Sequence, residues 1–170
     1  MCLLLGLGGT LRCILGPRRG VAYLLADMGL KELKGLKNLQ ELVLAATEVT
    51  DKGLKELKDL KELRGLWLGG TTVTDAGLKE LKELKALQIL GLAGTRVTDG
   101  GLKELKELKN LQKLWLAYTA VTDEGLRELK GLKKLRLLVL TGTKVTAAGV
   151  ADLKKAIPEV QIVTEDLDGD

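Results

Sequence analysis

Leucines along most of the chain follow a frame that returns every 24 residues. The frame reads Gly-Leu-Lys-Glu-Leu-Lys-x-Leu with small variations, and its glycines are Gly29, Gly53, Gly77, Gly101, Gly125 and Gly149. After the second of these glycines, leucines stand at positions 54, 57, 60, 63, 66 and 68. A fixed period of this length indicates stacked repeat units, because a single unit cannot bury its apolar face alone.

Each unit divides into a strand and a short helix. Leu66-Trp67-Leu68 alternates inward and outward positions and predicts a strand. Leu54, Leu57 and Leu60 recur every third residue, a spacing that drifts around an α-helix by roughly 60° per step. One buried face therefore lasts only about two turns, and we predict a short α-helix over residues 52–59.

Threonine and aspartate mark the start of each predicted helix. The threonines are Thr50, Thr74, Thr98, Thr122 and Thr146, and the aspartates that follow are Asp51, Asp75, Asp99 and Asp123. A threonine hydroxyl in this place accepts a backbone N–H, and a carboxylate interacts favourably with the positive end of the helix dipole. Stacked acids about 5 Å apart also suggest calcium, but no further ligand recurs, and we predict capping and no metal site.

The repeats set the boundaries of the chain's regions. Five regular repeats and a sixth, deviant one occupy residues 25–164, which we assign to one repeat domain. In the sixth, Ala147 replaces the aspartate and Pro158 precedes the last strand, as expected of a terminal cap. Residues 165–170 form an acidic tail. Residues 1–24 are predicted to be an irregular arm or a partial cap over the first repeat, or to be left from a longer array.

Residues 63–78, which read LRGLWLGGTTVTDAGL, resemble a leucine-rich repeat. They follow the frame L-x-x-L-x-L-x-x-N/C-x-L, with Thr71 in the Asn/Cys position. The continuation is similar to the ribonuclease-inhibitor-like and cysteine-containing subclasses. The resemblance implies an α/β fold: a right-handed, curved solenoid with a parallel sheet on its concave face and short helices on its convex face. Threonine hydroxyls then replace the family's ladder of asparagine amides.

In that geometry, outward strand residues line the concave face and form the candidate binding site. They are Val43, Trp67, Ile89, Gly91, Lys113, Trp115, Tyr118, Leu137 and Val139. Trp67 and Trp115 fall in one row, two strands and so about 10 Å apart, with Gly91 as a notch between them. Exposed aromatics on a rigid sheet are typical of interface anchors. The alternative is that the sheet tolerates two tryptophans and binds nothing.

Composition argues against catalysis and against nucleic acid. The chain has no histidine, which is the usual base and metal ligand, and the repeats contain no cysteine nucleophile. Gly6-Leu7-Gly8-Gly9 lacks the third glycine of a dinucleotide loop, so we expect no cofactor. The net charge is only +4, and no basic cluster is interleaved with aromatics. We therefore expect a non-enzyme whose partner is a protein or peptide.

The first residues bear on the compartment. Cys2 and Cys13 lie outside the repeats, and their spacing suggests free thiols rather than a disulfide framework. Residues 2–16 are apolar, but Arg12 interrupts them, and no run is long enough to span a membrane. We expect a cytoplasmic monomer, with secretion or a lipid anchor left open. The competing function is a structural, scaffolding segment of a larger multidomain protein.

Overall fold

The sheet runs the length of the chain in sequence order. The computed structural model describes residues 3–7, 10–14 and 27–164, with side chains for the last range. Eight strands follow one another as neighbours. They are β1 (Leu3–Leu7), β2 (Thr10–Ile14), β3 (Leu39–Val43), β4 (Gly65–Trp67), β5 (Ile89–Gly91), β6 (Lys113–Trp115), β7 (Leu137–Val139) and β8 (Gln161–Val163).

Strands β3 to β8 are parallel and meet in the register of the repeat. Leu42 pairs with Leu66, and Leu66 pairs with Leu90, so that equivalent residues are neighbours. The same 24-residue offset continues to Leu138 and Ile162. This confirms the predicted stacking of consecutive units into a curved α/β solenoid with an open parallel sheet.

The backbone of β1 and β2 forms an antiparallel hairpin that prolongs the sheet at its first end. Strand β2 pairs in parallel with β3, with an irregularity between Leu11 and Arg12. Our sequence analysis assigned no strand to this segment. The predicted acidic tail, residues 165–170, and the part of the predicted arm between residues 15 and 24 lie outside the described residues.

Short helices return the chain from each strand to the next. The α-helices are α1 (Asp27–Leu30), α2 (Asp51–Leu54), α3 (Asp75–Leu78), α4 (Asp99–Glu104), α5 (Asp123–Leu129) and α6 (Ala147–Ala156). The first four continue as 3₁₀ segments, which are Lys31–Gly35, Lys55–Leu57, Lys79–Glu83 and Leu105–Glu107. The helix predicted over 52–59 was therefore wrong in type beyond its first turn.

The spacing of the leucines explains that correction. A 3₁₀-helix has 3.0 residues per turn, so side chains three apart lie directly above one another. Leu54, Leu57 and Leu60 follow this period, and all three are fully buried. The 3₁₀ turn keeps these leucines on the side of the core, whereas in an α-helix the same spacing would carry them around the helix.

Threonines in the Asn/Cys position of each repeat bond within their own turn. The Thr71 hydroxyl, which is buried, donates to the Leu68 carbonyl at 2.7 Å. The same bond recurs at Thr47, Thr95, Thr119 and Thr143. The hydroxyls thus satisfy a buried carbonyl inside each repeat rather than forming a ladder between repeats.

Aspartate joins each repeat to the following one. The Thr74 hydroxyl accepts from the Ala76 N–H, as predicted for a cap. The carboxylate of Asp51, in the preceding repeat, in turn accepts the Thr74 N–H at 2.8 Å and its hydroxyl at 2.7 Å. A Cβ on Gly77 would collide with this carboxylate. The glycine of the 24-residue frame therefore makes room for the aspartate of the previous repeat.

Within residues 27–164, this aspartate–threonine link is present five times. The pairs are Asp27–Thr50, Asp51–Thr74, Asp75–Thr98, Asp99–Thr122 and Asp123–Thr146. Our sequence analysis gave the aspartates only a role at their own helix. The following repeat carries Ala147 in the aspartate position, so the series ends there.

Candidate binding surface

The concave strip consists of the strand residues that alternate with the buried leucines of β3 to β7. Its central row is Val43, Trp67, Gly91, Trp115 and Val139, and its flanking row is Glu41, Gly65, Ile89, Lys113 and Leu137. Strand pairing places the members of each row side by side. The structure thus brings eight of the nine candidate residues into two adjacent rows, and the ninth, Tyr118, lies just beyond β6.

Most of the strip is apolar and partly open to solvent. Val43, Val139, Ile89, Leu137 and both tryptophans are partly buried. Lys113 is exposed and Gly91 is buried. The four apolar side chains of the central row each lie between two buried leucines, and Ile89 and Leu137 each adjoin one, so the sheet cannot turn these residues inwards. The result is a continuous apolar surface on a rigid backbone.

The two tryptophans touch each other. Their ring centroids are 4.7 Å apart and the rings are tilted by 48°. A Cβ on Gly91 would lie 2.6 Å from Cε3 of Trp67, so the Trp67 ring occupies the space above that glycine. The expectation of an open notch between two separated indoles was therefore wrong. Because Gly91 has no side chain, Trp67 leans across it and closes the gap between alternate strands.

Tyr118 follows β6 in a left-handed backbone conformation with φ of 56°. The equivalent positions are Ala46, Gly70, Gly94 and Gly142, all of which also have positive φ. An L-residue with a side chain is disfavoured there by roughly 1–2 kcal/mol. The Tyr118 ring lies over Gly142, whose Cβ would approach Cδ1 to 2.5 Å. Tyr118 is nevertheless 64% exposed, which makes it the most accessible aromatic among the described residues.

Charge pairing is concentrated on the helical side of the molecule. Among residues 27–164 the ion pairs are Lys34–Glu56, Lys61–Glu83, Arg127–Glu124 and Lys130–Asp152. A hydrogen bond from Lys130 lowers the pKa of Asp152, and one to Glu56 raises the pKa of Lys34. Lys113 takes part in none of these pairs, so its charge remains available on the concave strip.

Neither a metal centre nor a membrane-spanning helix is present among the described residues. Within the described part of the chain, no group of three or more His, Cys, Asp or Glu side chains could hold a metal ion. The helices of that part are all too short, or too polar, to cross a membrane.

Sequence reasoning found the members of the strip but missed two of its contacts. It did not anticipate that Trp67 reaches Trp115, or that Tyr118 packs on Gly142. A signal for both exists in the repeat alignment: each of these aromatics precedes, by 24 residues, a glycine in the next repeat. An aromatic side chain and a glycine at equivalent positions can share the space of one side chain.

Comparisons with known proteins agree with this architecture. A family model described as leucine-rich repeat matches residues 35–58. An internalin (inlF) from Listeria monocytogenes is similar in structure, with a TM-score of 0.67, 21% identity and 82% of this chain covered. A leucine-rich-repeat protein of Leptospira interrogans gives a TM-score of 0.62, with 28% identity over 78% of this chain. Internalin C2 of Listeria monocytogenes gives 0.59, with 24% identity over 94%.

These similarities cover unequal shares of the other proteins. The chain spans 38% of the inlF structure, 33% of the Leptospira structure and 74% of the internalin C2 structure. No curated protein sequence matches the chain significantly. The comparisons thus show the repeat type and the fold.

Proposed function

We propose that this chain, which is a leucine-rich-repeat protein, is a non-catalytic module that binds a protein or peptide on its concave strip. The observation that carries the proposal is the contacting pair Trp67 and Trp115, partly exposed in the middle of an apolar surface. Tryptophans in the centre of a patch are the residues that most often dominate the energy of a protein interface. The neighbouring Ile89, Leu137 and Val139 would exclude water around them.

The dimensions of the strip suit an extended segment of a partner. Strands β3 to β7 lie about 4.8 Å apart, so the strip is about 20 Å long across the strands. An extended chain rises about 3.3 Å per residue and would cover the strip with about six residues. Tyr118 and Lys113 stand at the margin of this surface, where they can contact polar groups of the partner.

The test is loss of binding when either indole is removed. Peptides selected from a random display library on the wild-type protein are measured against Trp67→Ala and Trp115→Ala by calorimetry. We expect both variants to lose about 30-fold or more in affinity, because truncation of a central anchor costs about 2 kcal/mol or more. Each variant also loses the ring contact, worth about 0.5–1.5 kcal/mol, so binding is measured well below the melting temperature.

Met28→Ala is the matched control for this experiment. Met28 is 73% exposed in α1, away from the strip, so its removal deletes a large apolar side chain without touching the candidate site. Its affinity should equal that of the wild type. Unchanged affinity in both tryptophan variants would contradict the proposal.

A second candidate is a structural segment of a larger repeat protein. Two observations favour it: the five repeats are nearly identical, and the chain spans only 38% of the inlF structure and 33% of the Leptospira structure. This function would not depend on Trp67 or Trp115, and a natural reading frame with further repeats would support it. That the protein works as a monomer is also part of our proposal, and light scattering of the purified chain measures it.

A further inference from the structure

Five exposed cations border the concave strip. Arg64 directly precedes β4, Arg136 directly precedes β7, and Lys113 is the first residue of β6. Arg96 and Lys144 lie beyond the opposite ends of the strands. There the backbone of Arg96 forms an isolated parallel β-bridge with that of Thr74, and the backbone of Lys144 forms one with that of Thr122. The two sides of the strip therefore both carry positive charge.

Carboxylates are missing from the same positions over strands β4 to β7. The residues equivalent to Arg64 are Gln40, Gln88, Gln112 and Arg136, and those equivalent to Arg96 are Glu48, Thr72, Ala120 and Lys144. The two acids of the surface, Glu41 and Glu48, both belong to the repeat of β3. Charge along the strip thus changes from acidic at β3 to basic at β4 to β7.

The five cations bordering the strip have fewer carboxylates near them than the lysines of the helical side. There, a lysine or arginine directly precedes a glutamate in every regular repeat, and four ion pairs form among residues 27–164. Arg64, Lys113 and Arg136 form no ion pair with a carboxylate of residues 27–164, and neither do Arg96 and Lys144. Three of these cations stand beside partly exposed apolar side chains, where a bound ligand would displace water and strengthen a charge pair.

We propose that the ligand of the concave strip is an acidic, extended segment of a protein. Its apolar side chains contact Trp67 and Trp115, and its carboxylates pair with Arg64, Lys113 and Arg136. The change of charge towards β3 sets the direction of the segment, because the exposed Glu48 repels its acidic end. This inference rests on the proposed function and adds the chemistry of the partner to it.

Single-stranded nucleic acid is also anionic, but the strip suits it less well. Such ligands stack their bases on the open faces of aromatic side chains. Here the two indoles are in contact and tilted by 48°, so each covers part of the other. The remaining side chains of the strip, such as Ile89, Leu137 and Val139, are aliphatic. An acidic peptide uses both the apolar rows and the cations.

The experiment selects ligands and then changes charge on one side of the molecule at a time. A random peptide display library is panned on the wild-type protein, and the selected peptides are sequenced and measured by calorimetry at low and high salt. The test variant is Arg64→Glu, Lys113→Glu and Arg136→Glu combined. The control variant is Lys58→Glu, Lys82→Glu and Lys106→Glu combined, which changes the net charge equally on the helical side.

We expect the selected peptides to be enriched in Asp and Glu beside Leu, Phe or Trp, and to bind less tightly at high salt. The test variant should lose about tenfold or more in affinity, because like charges brought together across an interface are costly. The control variant should stay within about twofold of the wild type, since its charges lie on the helical side of the solenoid and salt screens them over a Debye length of about 10 Å. Arg64→Gln combined with Arg136→Gln replaces the test variant if thermal melting shows that it does not fold.

The outcomes separate this inference from the proposed function. Selected peptides without acidic enrichment that still depend on Trp67 would overturn the inference and leave the function standing. Peptides whose affinity changes neither in the tryptophan variants nor in the charge-reversed test variant would overturn the inference and the proposed function together. An equal loss in the control variant, or tighter binding of an oligothymidine than of any selected peptide, would also overturn the inference.

Discussion

The indole of Trp67 lies over the backbone of Gly91 on the neighbouring strand, with its Cε3 atom 2.6 Å from where a glycine Cβ would stand. This position brings the ring to the second tryptophan, Trp115, at a centroid distance of 4.7 Å. One missing side chain therefore lets two aromatic residues from alternate strands act as a single unit. The consequence is that the indole pair can be disturbed without mutating either tryptophan.

Gly91→Ala should separate the two indoles. The added methyl group meets the Trp67 ring, which must move, and we expect a loss of about 1–3 kcal/mol in unfolding free energy. The exciton signal of the tryptophan pair in circular dichroism should fall at the same time, because the chain has only two tryptophans. Gly65→Ala is the control: the three atoms nearest its methyl group all belong to the Glu41 side chain, the closest at 3.1 Å, and none belongs to an indole. An intact exciton signal in Gly91→Ala would show that the pair does not depend on this glycine.

Asp75→Ala tests the link between repeats. The Asp75 carboxylate accepts the Thr98 N–H at 2.7 Å and the Thr98 hydroxyl at 2.6 Å. Hydrogen bonds to a charged group contribute about 1.5–3 kcal/mol, so the unfolding free energy in urea should fall by about that amount. Glu107→Ala removes an exposed carboxylate from a 3₁₀ segment and should change stability by less than about 0.5 kcal/mol. Equal stability of the two variants would rule out a structural role for the link.

Tyr118 offers a prediction with an unusual sign. In most positions alanine is more stable than glycine, because glycine has the greater backbone freedom in the unfolded chain. At a φ of 56° the order should reverse, with Tyr118→Gly more stable than Tyr118→Ala by about 1 kcal/mol, since only glycine adopts this conformation without strain. Both variants lose the same ring, so thermal melting compares the backbone term alone. A more stable alanine variant would mean that the left-handed turn is not formed in solution.

Acid should weaken the attachment of α6 to α5. Lys130 donates to Asp152 at 2.5 Å and thereby lowers the pKa of that carboxyl below its ordinary value of 3.8. A lowered folded-state pKa means that the pair stabilises the protein above about pH 4, and that this contribution disappears as the pH falls through the folded pKa. Asp152→Asn should therefore be slightly less stable than the wild type at pH 7, and this difference should shrink as the pH falls through the folded pKa of Asp152. Urea unfolding across this range measures the difference, and a pH-independent gap would contradict the assignment.

Several features of this structure could be predicted from the sequence of one repeat. Leu66 and its equivalents had to be buried and aligned, because near-identical units that stack can bury only equivalent positions. Thr74 and its equivalents could be assigned as helix caps, since a cap depends on its own two or three neighbours. The rows of the concave strip followed from the same alternation. These features are local to one 24-residue unit or are repeated by every unit.

The sequence by itself determined the solenoid, its leucine core, its threonine caps and the residues that share its concave face, because each is encoded within one repeat. Only the tertiary structure decided what happens between repeats: the bond from Asp51 to Thr74, the reach of Trp67 across Gly91 to Trp115, and the packing of Tyr118 on Gly142. It also decided that part of the leucine series in each of the first four repeats lies in a 3₁₀ turn instead of an α-helix. The physical reason is that side-chain rotamers and helix type respond to the neighbouring unit, which the pattern of a single unit does not specify.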